Sequence, residues 1–165
     1  MLTIAIALSC LILAYAAWRD VALRTIPDAC SIALLVLGIL VRAPLGPTAV
    51  LTSLGVALLL FVLLVLLHAR GLLGGGDVKL AAALAVGLSP LATYRFLFLT
   101  VVIGGVLGVL YLLVSRHMPV PALQRGRALP ARVWAVESRR IRGRVSLPYG
   151  LAIAAAGIWT LLHTA

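Results

Sequence analysis

Acidic residues are almost missing from this chain. Four Asp and Glu stand against fourteen Lys and Arg in 165 residues, a formal net charge of +10. Charge of either sign is scarce: 11% of residues are charged and 64% are hydrophobic, where soluble domains carry about 25% charged and roughly 45–50% apolar residues. A water-soluble globule is therefore excluded. Cysteine is scarce too, and Cys10 and Cys30 have no CxxC spacing. That excludes a disulfide framework and a zinc–thiolate site, and leaves two small buried thiols. No His-x-Glu-x-x-His or other metal cluster is written in the chain, and no Ser–His–Asp arrangement is suggested, since His117 and His163 have no partners in the sequence. No Lys or Arg precedes the first apolar run, so the positive region of a signal peptide is missing and that run is expected to stay as a first span.

What the chain does have is long uncharged blocks. Six apolar segments run at about Leu2–Trp18, Ala29–Val41, Thr48–Leu67, Val78–Leu88, Phe96–Val114 and Leu147–Leu162. A spanning helix needs about 20 residues, which the third and fifth meet easily and the first and sixth barely. The second and fourth reach it only if extended to Pro27 and Ala92, and both could begin below the membrane surface, shielded by neighbours. The expectation is an all-α, polytopic membrane helix bundle of about six transmembrane helices, a single domain over 1–165. No internal repeat is visible.

Basic residues lie in the connections. With the N-terminus outside, three inner connections hold Arg19 and Arg24, then Arg70 and Lys79, then the eight Arg of Ser115–Val145, while the outer connections carry only Arg42 and Arg95. This twelve-to-two split predicts both termini outside and three loops in the cytoplasm. It also explains the basic composition without nucleic acid. The Arg-rich loop at 115–145 is expected to rest on anionic lipid headgroups, or to meet a partner's acidic segment.

Ionisable groups at bilayer depth cost roughly 2.5–3.5 kcal/mol or more, so three acids at segment edges demand reasons. Asp20 falls near the end of the first helix, where the macrodipole disfavours negative charge. An i,i+4 pair with Arg24 is its structural alternative. Asp28 follows Pro27, and an acid beside a proline suits a helix start. Asp77 closes Gly74-Gly75-Gly76-Asp77; helix N-capping would explain the Asp but not three preceding glycines, which allow close backbone approach. Lys79, His68 and Arg70 are expected to snorkel to the inner surface. Asp20 and Asp77 fall at the same predicted membrane face. Two carboxylates held close share one proton near neutral pH, a pairing suited to peptide hydrolysis by general acid–base chemistry.

Asp20-x-x-x-Arg24-x-Ile26-Pro27-Asp28 and Gly74-Gly75-Gly76-Asp77-Val78-Lys79-Leu80 resemble the two signature motifs of type IV prepilin peptidases. The second has the GxGD form shared with preflagellin and presenilin-type proteases. Leu147-Pro148-Tyr149-Gly150-Leu151-Ala152-Ile153 resembles the start of that family's last span. The resemblance implies an aspartic endopeptidase with Asp20 and Asp77 as catalytic pair and no cofactor. It implies a bacterial inner-membrane location and a pilin-type precursor, cut at the cytoplasmic face just before its hydrophobic helix. Gly74, Gly75, Gly76, Lys79, Arg24, Pro27, Asp28, Pro148, Tyr149 and Gly150 are the motif positions around that pair. The short chain looks most like the Flp/Tad-type branch, without the paired CxxC segment and methyltransferase activity of larger members. Two other classes compete: a proton- or ion-coupled transporter, which would put acids at the bilayer midplane within repeated halves, and a non-enzymatic pilus or secretion scaffold docking through the Arg-rich loop. A presenilin-like protease of general membrane substrates is a related enzyme reading.

Overall fold

A computed structural model of the protein describes residues 2–117 and 149–164. Most of the Arg-rich connection, and Pro148, lie outside the described residues. Among the described residues six α-helices follow in order: α1 (Leu2–Leu23), α2 (Asp28–Arg42), α3 (Pro47–Ala69), α4 (Gly75–Val86), α5 (Pro90–His117) and α6 (Tyr149–Thr164), with one 3-10 turn, Ala43–Leu45, after α2. Among the described residues there is no strand. The chain is an all-α membrane helix bundle.

Helix bounds follow local chemistry more than apolar run length. Pro27, at φ −63° and ψ 137°, stands at the N-cap of α2 and leaves Asp28 as its first residue, so the acid complements the positive dipole end as expected. α5 begins earlier than the apolar run because Ser89 caps it. The Ser89 Oγ accepts from the Ala92 amide at 3.2 Å, and Pro90 fills the first position, where a missing N–H costs nothing. α3 ends in a Schellman turn. Gly71 lies at φ +72°, its amide donates to His68 O at 2.8 Å, and the Leu72 amide donates to Leu67 O at 3.1 Å.

Among the described residues four stretches are long and apolar enough to cross a membrane: Leu2–Leu23, Asp28–Leu45, Pro47–Ala69 and Pro90–Leu113, the third with a mean hydropathy of 3.0. α6 is apolar but shorter, and α4 has only 12 residues, about 18 Å of helix against a hydrocarbon core of about 30 Å. α4 is instead an interior helix: Asp77, Val78 and every residue from Leu80 to Val86 are buried. It packs against α2, α3 and α6, and α6 packs on α1 and α5.

Small residues make this packing close. A methyl group on Gly38 of α2 would lie 2.7 Å from the Gly87 amide nitrogen at the end of α4, and one on Gly157 of α6 would lie 2.6 Å from Leu84 and 3.0 Å from Leu13. Association in lipid depends on such contact, because lipid tails are as apolar as leucine and burial alone gives no drive. The bundle's outside is accordingly apolar, with Leu59 73% and Val101 74% exposed. At one end, Arg42 Nε donates to Ser53 Oγ at 2.9 Å and Ser53 Oγ donates to Leu88 O at 2.8 Å, tying α2, α3 and the α4–α5 link. The opposite end gathers the C-terminus of α1 and the N-termini of α2, α4 and α6. That is where the acids are.

Candidate active site

Asp20 sits in the last turn of α1 and Asp77 in the first turn of α4, each 7% exposed. Both line one open cavity of about 290 Å³, with Arg24, Thr25, Ile26, Asp28 and the three glycines Gly74, Gly75 and Gly76. Residues 57 positions apart in sequence thus face one space, close enough for their charges to act on each other.

Each carboxylate is held by a different device. Asp20 Oδ2 accepts from the Gly150 amide of α6 at 2.9 Å, a buried bond across 130 positions. Gly150 stands in the first turn of α6, where amides have no intrahelical acceptor and the dipole end is positive. The macrodipole of α1 alone makes Asp20 unfavourable; the start of α6 supplies the compensation. α4 begins at Gly75 with Gly74 at its N-cap. Asp77 is thus not the N-cap itself but the third helical residue, whose carboxylate accepts from the Gly74 amide and lines the cavity. Its Oδ1 is buried and has no hydrogen-bond partner among the described residues, an arrangement that costs about 1–3 kcal/mol for a buried polar atom.

The glycines have specific neighbours. A methyl group at Gly74 would lie 2.8 Å from Asp77 Oδ2, and one at Gly150 would lie 2.8–2.9 Å from the Asp20 carboxyl and Cβ. One at Gly76 would lie 3.1 Å from Ile26 Cβ, and one at Gly75 would lie 3.5 Å from the His68 ring. The run of three therefore brings the α4 entrance against one acid, the Ile26-Pro27 segment and the end of α3. Sequence reasoning marked the close approach but not its partners, because glycine spacing says nothing of what approaches.

Other motif residues lie around the cavity. Lys79 Nζ pairs with Asp28 Oδ1 at 2.8 Å, a half-exposed link from α4 to α2. His68 Nδ1 lies 2.8 Å from Leu73 O and so also turns back to the chain. Tyr149 does not line the cavity; its ring lies beside Gly104 of α5. Arg24 does line it, and its charge reaches Asp77. Its backbone is left-handed, φ 56°, disfavoured for an L-residue by roughly 1–2 kcal/mol. A larger apolar groove of about 430 Å³ runs between α2, α3 and α4, with Asp28 and Lys79 at its one polar corner. It shares Asp28 with the acid cavity but neither Asp20 nor Asp77. Among the described residues no group of three or more His, Cys, Asp or Glu is placed to hold a metal ion.

Comparison with known proteins adds the class of protein. No curated protein and no solved structure matches the chain. A family model described as the type IV leader peptidase family matches residues 7–109, a stretch that contains Asp20, Arg24, Pro27, Asp28, the three glycines, Asp77 and Lys79, and ends before Tyr149 and Gly150. With more than half of its length matched and the expected membrane bundle around those motifs, the chain belongs to the type IV leader peptidase family.

Proposed function

We propose that the protein is an aspartic endopeptidase that removes the N-terminal leader of Flp-type prepilins, with Asp20 and Asp77 as its catalytic pair. The observation that carries this reading is the shared cavity: two buried carboxylates from separate helices at one open end of the bundle, with Gly74, Gly75 and Gly76 beside them. In the reaction the ionised carboxylate takes a proton from water while the water oxygen attacks the peptide carbonyl carbon. The protonated partner gives its proton to the carbonyl oxygen. Collapse of the tetrahedral intermediate breaks the C–N bond: the departing nitrogen takes a proton from one carboxyl while a hydroxyl of the intermediate returns its proton to the other, so the pair again holds one proton. General acid–base catalysis of this kind contributes about 10²–10⁴-fold.

The cavity lies at the end to which the charge bias assigns the cytoplasm, which supports cleavage at the cytoplasmic face of the bacterial inner membrane. Acids gathered at one end of the bundle also weigh against a transporter, whose carriers belong at the midplane. Co-expression with a Flp-type prepilin tests the reading by following leader removal on gels. Wild type should yield the shortened pilin, and Asp20→Asn and Asp77→Asn should each leave the precursor intact. Continued processing by both variants would reject the aspartyl pair.

A further inference from the structure

The turn that ends α1 places an arginine where the rest of this chain uses glycine. The Arg24 amide donates to Asp20 O at 2.9 Å, the single 5→1 bond of an αL helix cap, a position at which glycine is usual. The end of α3 follows that rule, with Gly71 at φ +72°. Among the described residues Arg24 is the one non-glycine residue with positive φ. The helix cap gains nothing from its side chain, since the backbone bond forms as well with glycine and without strain. Strained residues of this kind persist where the side chain has a task.

The position of the side chain supplies the task. Arg24 lines the cavity of Asp20 and Asp77, its Nε and Nη1 are buried, and its charge acts on Asp77. Among the described residues, four other charged or titratable side chains at this end of the bundle are differently engaged or placed. Lys79 is paired with Asp28, His68 lies against Leu73 O, Tyr149 lies beside α5, and Arg19 does not line the cavity. An acid pair that works with one proton carries one negative charge throughout the reaction, in a place largely screened from water. Such a charge needs a fixed cation close by.

We infer that Arg24 is a positioning residue that supplies the counter-charge of the Asp20–Asp77 pair, held at the αL cap of α1 at the expense of backbone strain. This rests on the proposed aspartyl mechanism. Four variants separate charge from backbone. Arg24→Lys keeps the charge and the strain, Arg24→Gln keeps only the strain, and Arg24→Gly removes both. Asp77→Asn is the control for the mechanism itself.

With purified full-length protein in detergent and a Flp-type prepilin as substrate, Arg24→Gln and Arg24→Gly are expected to lose at least about 30-fold in kcat, with KM within about threefold of wild type. Arg24→Lys is expected to stay within about tenfold in kcat. The melting temperature should rise for Arg24→Gly and not for the other two Arg24 variants. Wild-type kcat in Arg24→Gln, or Arg24→Lys as slow as Arg24→Gln, overturns the inference while an inactive Asp77→Asn leaves the aspartyl mechanism standing. An active Asp77→Asn overturns both.

Discussion

At the residue scale, the site places function and stability in opposition. Asp77 Oδ1 is buried and unpartnered among the described residues, and the N-cap of its helix is Gly74. Removing the charge relieves a desolvation cost, while an amide side chain keeps an oxygen for the Gly74 N–H. Asp77→Asn is expected to abolish cleavage and to leave thermal unfolding in detergent unchanged or shifted upward by a few degrees. A large fall in melting temperature would mean that the carboxylate is structural. Gly150→Ala should behave in the opposite way. Its methyl group would meet the Asp20 carboxyl at 2.8–2.9 Å, so Asp20 must move, at an overpacking cost of about 1–3 kcal/mol and with loss of most leader cleavage. Wild-type cleavage by Gly150→Ala would show that the contact between α1 and α6 does not hold the acid in place.

At the scale of elements, the short α4 is the organising piece. It is too short to span and too buried to face lipid, so its position depends on what surrounds it. The Gly38–Gly87 contact allows α2 to lie against its C-terminal end, and Lys79–Asp28 links the same two helices at the other end. These contacts differ in strength. Gly87→Leu would drive a side chain into the Gly38 backbone and should prevent close packing of α2 and α4, a loss of several kcal/mol read as failure to accumulate or as low-temperature unfolding. The ion pair is about half exposed on both sides, where such pairs are worth about 0–1 kcal/mol. A double-mutant cycle of Asp28→Ala and Lys79→Ala on unfolding should give a coupling below about 1 kcal/mol; a larger one would make the pair a structural pin.

At the scale of the whole molecule, the charge distribution predicts the orientation. Alkaline phosphatase fused after the last helix should be active, and the same reporter placed in the 118–148 connection should be inactive, because alkaline phosphatase works only outside the cytoplasm. The reverse pattern would put the acid cavity on the outer face and remove the leader of a cytoplasmic precursor from reach. Replacing Arg139, Arg140, Arg142 and Arg144 with glutamine should weaken this orientation, since basic residues close to span ends set it.

The sequence by itself determined the class of molecule, the positions of the apolar helices among the described residues and the identity of the scarce acids, because hydrophobic run length, charge bias and motif spacing are one-dimensional properties. It marked Asp28 as a helix start, since a proline–acid step acts locally. Only the tertiary structure decided which glycine serves which acid, that Asp77 lines a cavity from the third position of α4, and that Lys79 reaches Asp28 across 51 positions. It alone showed that the fourth apolar segment is an interior helix, although composition cannot separate lipid-facing from helix-facing leucine and alanine. The physical reason is common to all of these. Local propensity and hydropathy act between near neighbours, while the compensation of a charge on α1 by the amide of Gly150 on α6 exists only once the helices have packed.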